Sequence, residues 1–162
     1  MSDKKKIVII DDEEDICSMT QFILQKTGLY EVAMASNGEA GLALCRQVIP
    51  DLLVLDYVMP GMQGRDVIDA LRGEQTTRGI PIILVSGLGE VVYFGEDDVW
   101  RWQPDRAVVQ ERGDVSEVVK CLMAPQEVAE KFGIRAFLSK PFTKASFLHA
   151  VEKILGQPPD SS

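Results

Sequence analysis

Little in this chain supports a disulfide framework, a membrane span or a surface for polyanions. Only three cysteines occur among its 162 residues. Cys17, Cys45 and Cys121 lie far apart, are odd in number and form no CxxC pair. A zinc or redox centre therefore has no spacing to build on, and buried free thiols are the expectation. Basic side chains are outnumbered, 17 Lys and Arg against 25 Asp and Glu, for a net charge of -8. That balance argues against nucleic acid as a direct ligand and against docking on an acidic membrane. No apolar run approaches the ~20 residues of a membrane-spanning helix. The basic start at Met1–Lys6 leads into only Ile7–Ile10 before acids begin at Asp11, too short a run for a secretory signal, so a cytoplasmic location is expected. The single histidine, His149, sits beside the apolar stripe of the last helical segment, where a structural or surface role is the expectation.

What the chain does contain is a set of short buried-strand patterns. Hydrophobic residues make up 46% of it, enough for one globular core. Ile7–Ile10 runs into Asp11-Asp12, Leu52–Leu55 into Asp56, Ile82–Val85 into Ser86-Gly87, and Ala136–Ser139 into Lys140-Pro141. Uninterrupted Ile, Val and Leu runs of this length read as strands covered on both faces, the habit of a parallel sheet under helices. All strands of such a sheet point one way, so the residues that follow them share its carboxyl edge, where ligands bind.

Helical periodicity fills the intervals. Glu13–Gly28 places Ile16, Met19, Ile23 and Leu24 on one face, with Gly28 as a C-cap. Tyr30–Ala35 reads as a second strand nearer an edge, and Asn37-Gly38 as a turn. Glu39–Val48 is a second helix closed by Ile49-Pro50. Asp51–Leu55 is the third strand, Arg65–Arg72 a helix with Val67, Ile68 and Leu71 inward, and Ile80–Val85 the fourth strand. Ile134–Ser139 is the fifth strand. Thr143 is the N-cap of a last helix, Lys144–Leu155, whose inward residues are Phe147, Leu148, Val151, Ile154 and Leu155. Alternating strands and helices predict an α/β, doubly wound sheet in one domain.

One interval is too long. Lys140 stands 54 positions after Ser86, where a helical crossover needs roughly 20. Residues from about Leu88 to Leu122 look inserted, and Ala124–Phe132 supplies the short helix into the fifth strand. Within the insert, Val91–Phe94 and Val99–Trp102 read as a hairpin turning at Gly95–Asp98, with Trp100 and Trp102 on one face. Asp114–Met123 is a candidate extra helix.

At the shared edge, Asp11, Asp12 and Asp56 form a crowded set of carboxylates, tolerable with a cation or with raised pKa values. Magnesium suits them, being hard and oxygen-seeking. Lys140 adds a positive charge and Ser86 a hydroxyl. Together these are the parts of phosphoryl transfer to a carboxylate.

The wording and order of Val8–Glu13, Asp51–Gly61, Val85-Ser86-Gly87 and Phe137–Phe142 resemble the receiver domain of two-component response regulators, over about residues 4–87 and 124–156. The resemblance implies a five-stranded parallel sheet in the flavodoxin-like order 2-1-3-4-5. It implies Asp56 as phosphoacceptor and a Mg²⁺ ion on Asp12, Asp11, Asp56 and the backbone carbonyl of Val58. Lys140 would pair with the phosphoryl oxygens. Ser86 would be the switch hydroxyl, Phe137 the switch aromatic, and Pro141 a position usually cis. It further implies a histidine kinase or phosphotransfer protein as donor.

With seven residues after Leu155, the expected unit is a stand-alone receiver over 1–156 with a tail at 157–162, acting on an unknown downstream protein. The insert, emerging beside Ser86, is a candidate partner or homodimer surface. Two rival functions remain open from the residues: a Mg²⁺-dependent phosphatase or phosphotransferase working through an aspartyl-phosphate, and a degenerate, non-phosphorylated scaffold. The first would need the DxD pair of haloacid-dehalogenase-like phosphatases, and Asp11-Asp12-Glu13 lacks that spacing. A flavin site is disfavoured, because acids after the first strand would repel its phosphate.

Overall fold

The computed structural model describes residues 4–57, 59–86, 89–90, 103–104, 134–140 and 142–156. Its frame is a five-stranded parallel sheet. In chain order the elements are β1 (Lys5–Ile10), α1 (Glu14–Lys26), β2 (Tyr30–Ala35), α2 (Gly38–Val48), β3 (Leu52–Asp56), α3 (Gly64–Arg72), β4 (Ile82–Ser86), a two-residue pair β5 (Gly89–Glu90) and β6 (Gln103–Pro104), β7 (Ile134–Ser139) and α4 (Lys144–Leu155). The sheet order is β2-β1-β3-β4-β7, which is 2-1-3-4-5 counted along its own strands.

Alternation along the strands assigns the helices to the two faces. Val8, Ile10, Leu53, Leu55, Ile82 and Leu84 point to one side and join Leu42 and Cys45 of α2 with Val67, Ile68 and Leu71 of α3. Ile7, Ile9, Leu52, Val54, Ile83 and Val85 point to the other and join Ile23 and Leu24 of α1 with Phe147, Ala150 and Val151 of α4. Each apolar run is continuous because both parities are buried. Every fully buried Leu, Ile or Val contributes about 1.5–3 kcal/mol, so the interior strands β1, β3 and β4 fix the frame. The edge strand β2 is only partly covered.

Several boundaries shift from the sequence expectations for local reasons. The fourth strand begins at Ile82 rather than Ile80, since Pro81 has no N–H for a ladder; its carbonyl accepts from Leu53 N–H at 2.9 Å. The third strand begins at Leu52, and the Asp51 carboxylate instead accepts from Lys6 N–H at 2.8 Å. On α1, Met19 is exposed while Cys17 and Thr20 are buried. Thr20 tolerates burial because its hydroxyl donates back to the Ile16 carbonyl at 2.7 Å. The C-cap of α1 is Thr27 rather than Gly28, which follows it with the left-handed φ of +72° that turns the chain out of the helix. The C-cap of α2 is Ile49 at φ +47°, strained for a β-branched residue. Its N–H still bonds the Cys45 carbonyl at 2.9 Å before Pro50 prevents continuation. Thr143 caps α4 as expected, its hydroxyl accepting from Ser146 N–H at 3.0 Å.

Of the inserted segment, β5 and β6 pair antiparallel, Gly89 with Pro104 and Glu90 with Gln103. The expected hairpin strands, the helices at 114–123 and 124–132, and Cys121 lie outside the described residues.

Candidate functional site

The carboxyl edge of the sheet gathers the acids. Asp11 follows β1, and its N–H bonds the Ala35 carbonyl at the end of β2. Its carboxylate accepts from Glu13 N–H at 2.9 Å, a local turn that fixes its direction. Asp56 is the last residue of β3, held in register with Val85 of β4. Asp11 and Asp56 are buried, while Asp12 is exposed. One carboxylate oxygen from each of the three lies within 4.8 Å of the others. A donor set made only of oxygens this close fits a hard divalent cation such as Mg²⁺.

The loop after Asp56 folds back tightly. Tyr57 N–H bonds the Val85 carbonyl at 2.9 Å, and Gly64 N–H bonds the Tyr57 carbonyl at 3.0 Å. A Cβ at Gly64 would stand 2.7 Å from Tyr57 Cα and 2.8 Å from the Asp56 carbonyl oxygen, so only glycine allows this approach. The Gln63 side chain accepts from Met59 N–H at 3.2 Å, closing the loop from within.

Lys140, directly after β7, enters this cluster from the far side of β4. Its Nζ lies 3.0 Å from Asp11 Oδ2, 2.9 Å from Glu13 Oε1 and 3.3 Å from Asp56 Oδ2. Three carboxylates thus face one ammonium. Burial, then the Asp11 charge, push the Asp56 carboxyl up to about 7, against the pull of Lys140. Burial works to lower the Lys140 pKa, but its hydrogen bonds to Glu13 and Asp11 and the charges of Asp56 and Asp11 outweigh it, so the ammonium is held well above its usual range. The pocket is short of positive charge, which a divalent cation held by these acids would supply.

The structure therefore brings together Asp11, Asp12, Asp56 and Lys140. Ser86 ends β4 at the same edge, paired with Ser139, and Phe137 lies within β7 opposite Leu84; their side chains lie outside the described set, as do Val58 and Pro141. The sequence reading gave Glu13 no role, yet Glu13 is a direct partner of Lys140 from 127 positions away. Its only signal was adjacency to Asp11-Asp12. Cys17 and Cys45 are buried free thiols as expected. Burial, then the charge of Asp11, raise Cys17 to about 11, and burial raises Cys45 to about 12, so neither is a reactive thiolate. A groove of about 750 Å³ opens elsewhere, at the amino edge among Lys4, Lys6, Tyr30, Glu31 and Gln47, and holds no comparable cluster.

Comparison with known proteins agrees with this geometry. The family model described as response regulator receiver domain matches residues 7–96, more than half of the chain. Over 88 residues the chain is 43% identical to the probable transcriptional regulator ycf27 of Porphyra purpurea, covering 54% of this chain and 35% of that protein. Over 144 residues it is 34% identical to the regulator of the same name from Guillardia theta, covering 89% of this chain and 49% of that one. The chemotaxis protein CheY4 of Vibrio cholerae, a solved structure, superposes with a TM-score of 0.65 at 20% identity, over 93% of this chain and 98% of that one, a likeness of fold. The chain belongs to the response regulator receiver domain family. It spans half or less of the length of these curated relatives, and the family match ends inside the segment that the sequence marks as inserted.

Proposed function

We propose that this chain is a phosphorylatable receiver module of a two-component relay, taking a phosphoryl group on Asp56 from a histidine kinase or phosphotransfer protein. The observation that carries this reading is the meeting of Asp11, Asp12 and Asp56 within 4.8 Å, with the Lys140 ammonium against them. An oxygen of the Asp56 carboxylate forms the new bond to phosphorus as the phosphorus–nitrogen bond of the donor phosphohistidine breaks, its electron pair returning to the imidazole. Asp11 and Asp12, with Asp56 and the carbonyl of Val58, would hold Mg²⁺, which screens the charge of the incoming group. Lys140 neutralises the remaining phosphoryl oxygens. Ser86 then engages one of those oxygens, and Phe137 turns with it. This arrangement is favoured only when the roughly two added negative charges are present, so phosphorylation shifts a pre-existing equilibrium.

The receiver unit is assigned to residues 1–156, with the insertion at about 88–122 and a tail at 157–162. Output passes to a protein partner, in keeping with a net charge of -8 and the absence, among the described residues, of any helix long and apolar enough to cross a membrane. A cytoplasmic location follows from the same reading.

The test is intact-mass measurement after incubation with acetyl phosphate, with and without Mg²⁺, on the wild type and on Asp56→Asn. A metal-dependent phosphate adduct that disappears in the variant is the expected result. No adduct in the wild type would leave the degenerate-scaffold reading in its place, and steady turnover of a small phosphoester would favour the enzyme.

A further inference from the structure

Lys140 presents three N–H groups to three carboxylates, and those partners differ in how freely they can leave. The side chains of Asp11 and Asp56 are only 4% and 5% exposed, while that of Glu13 is 58% exposed. The Asp11 carboxylate is pinned by Glu13 N–H, and Asp56 is fixed by its place at the end of β3. A phosphoryl group on Asp56 needs an N–H from Lys140 for its own oxygens. Releasing Asp11 or Asp56 would strand a buried carboxylate, which is costly. The Glu13 side chain returns to water at little cost.

We propose that Glu13 is a positioning residue that competes with the phosphoryl group for Lys140: it holds the ammonium in the unmodified protein and gives it up when Asp56 is phosphorylated. This rests on the phosphoacceptor reading above. The backbone of Glu13 stays in place throughout, orienting Asp11, while its carboxylate is the part that exchanges. Glu13 thereby sets how strongly the empty pocket resists an incoming phosphoryl group, through one broken ion pair and one nearby like charge.

Beryllofluoride, a non-covalent mimic of the phosphoryl group, reads this directly. Its dissociation constant would be measured by calorimetry in saturating Mg²⁺ for the wild type, Glu13→Gln and Glu13→Ala. Both variants are expected to bind about two- to fivefold more tightly, the range a half-exposed ion pair delivers. The acetyl phosphate concentration giving half the maximal phosphorylation rate should fall by a similar factor while the limiting rate holds. A merely structural role would instead move the urea midpoint and leave that split untouched. Unchanged or weaker beryllofluoride binding in both variants, alongside a wild type that binds it and forms the Asp56 adduct, overturns the Glu13 proposal alone. A wild type that neither binds beryllofluoride nor forms the adduct overturns the phosphoacceptor reading with it.

Discussion

The two edges of the sheet carry ionisable groups on the same strands, yet they behave differently. At the amino edge Lys4, Lys5 and Lys6 are exposed, and Asp51 accepts a single backbone bond from Lys6. At the carboxyl edge Asp11 and Asp56 are buried against each other, with one ammonium shared among several acids. Charge at the first edge is solvated and nearly neutral in energy. Charge at the second is concentrated where water cannot screen it, so its protonation and its counter-ions matter. Chemistry follows the concentration of like charge under cover, and the mere presence of charge does not predict it.

The sharpest break in this contrast is removal of the shared cation. Lys140→Ala should destabilise the metal-free protein by about 2–4 kcal/mol at pH 8, measured by urea unfolding, because buried carboxylates lose their partner. A loss under about 0.5 kcal/mol would place the carboxyl edge in the same class as the amino edge.

Asp56→Asn should act in the opposite direction. The Asp56 carboxyl rises from 3.8 to about 7 in the fold. The fold therefore favours the protonated form. Stability from this group is present in full below its unfolded value near 3.8 and is lost as the pH climbs through about 7. In metal-free protein the variant should match the wild type near pH 4 and exceed it by about 1–3 kcal/mol at pH 8. A difference that does not grow with pH would show that Asp56 is already balanced without metal.

A third measurement concerns the cation. If Mg²⁺ binding must expel a proton held at about pH 7, affinity should be roughly tenfold weaker at pH 6 than at pH 8. Titration calorimetry in two buffers of different ionisation enthalpy would count the proton. Equal affinity at the two pH values would mean that Asp56 is ionised before the metal arrives.

The smallest effect belongs to the amino edge. Asp51→Ala removes one exposed acceptor from Lys6 N–H and should cost about 0.5–1 kcal/mol, independent of Mg²⁺. A metal-dependent change there would couple the two edges and dissolve the distinction between them.

Much of this was legible in the chain alone. Buried strands on both faces leave unbroken apolar runs, so β1, β3 and β4 announced themselves, and the residue after each run fell on one edge by the geometry of a parallel sheet. Asp11, Asp12, Asp56 and Lys140 were found that way. Met19 was misplaced because one position around a helix separates a half-buried face from an exposed one, and propensity does not know where the sheet lies. Pro81 delayed β4 for a reason present in the sequence, its missing N–H, but the shift shows only once Leu53 is seen bonding its carbonyl.

Sequence by itself determined which residues could do the chemistry, because side-chain type and strand-end position are local properties. Only the tertiary structure decided how they share charge. It set Glu13 against Lys140 across 127 positions and left that glutamate in water while sealing Asp11 and Asp56. Burial and distance are properties of the packed whole, and on them depends how a carboxylate titrates and which partner an ammonium can release.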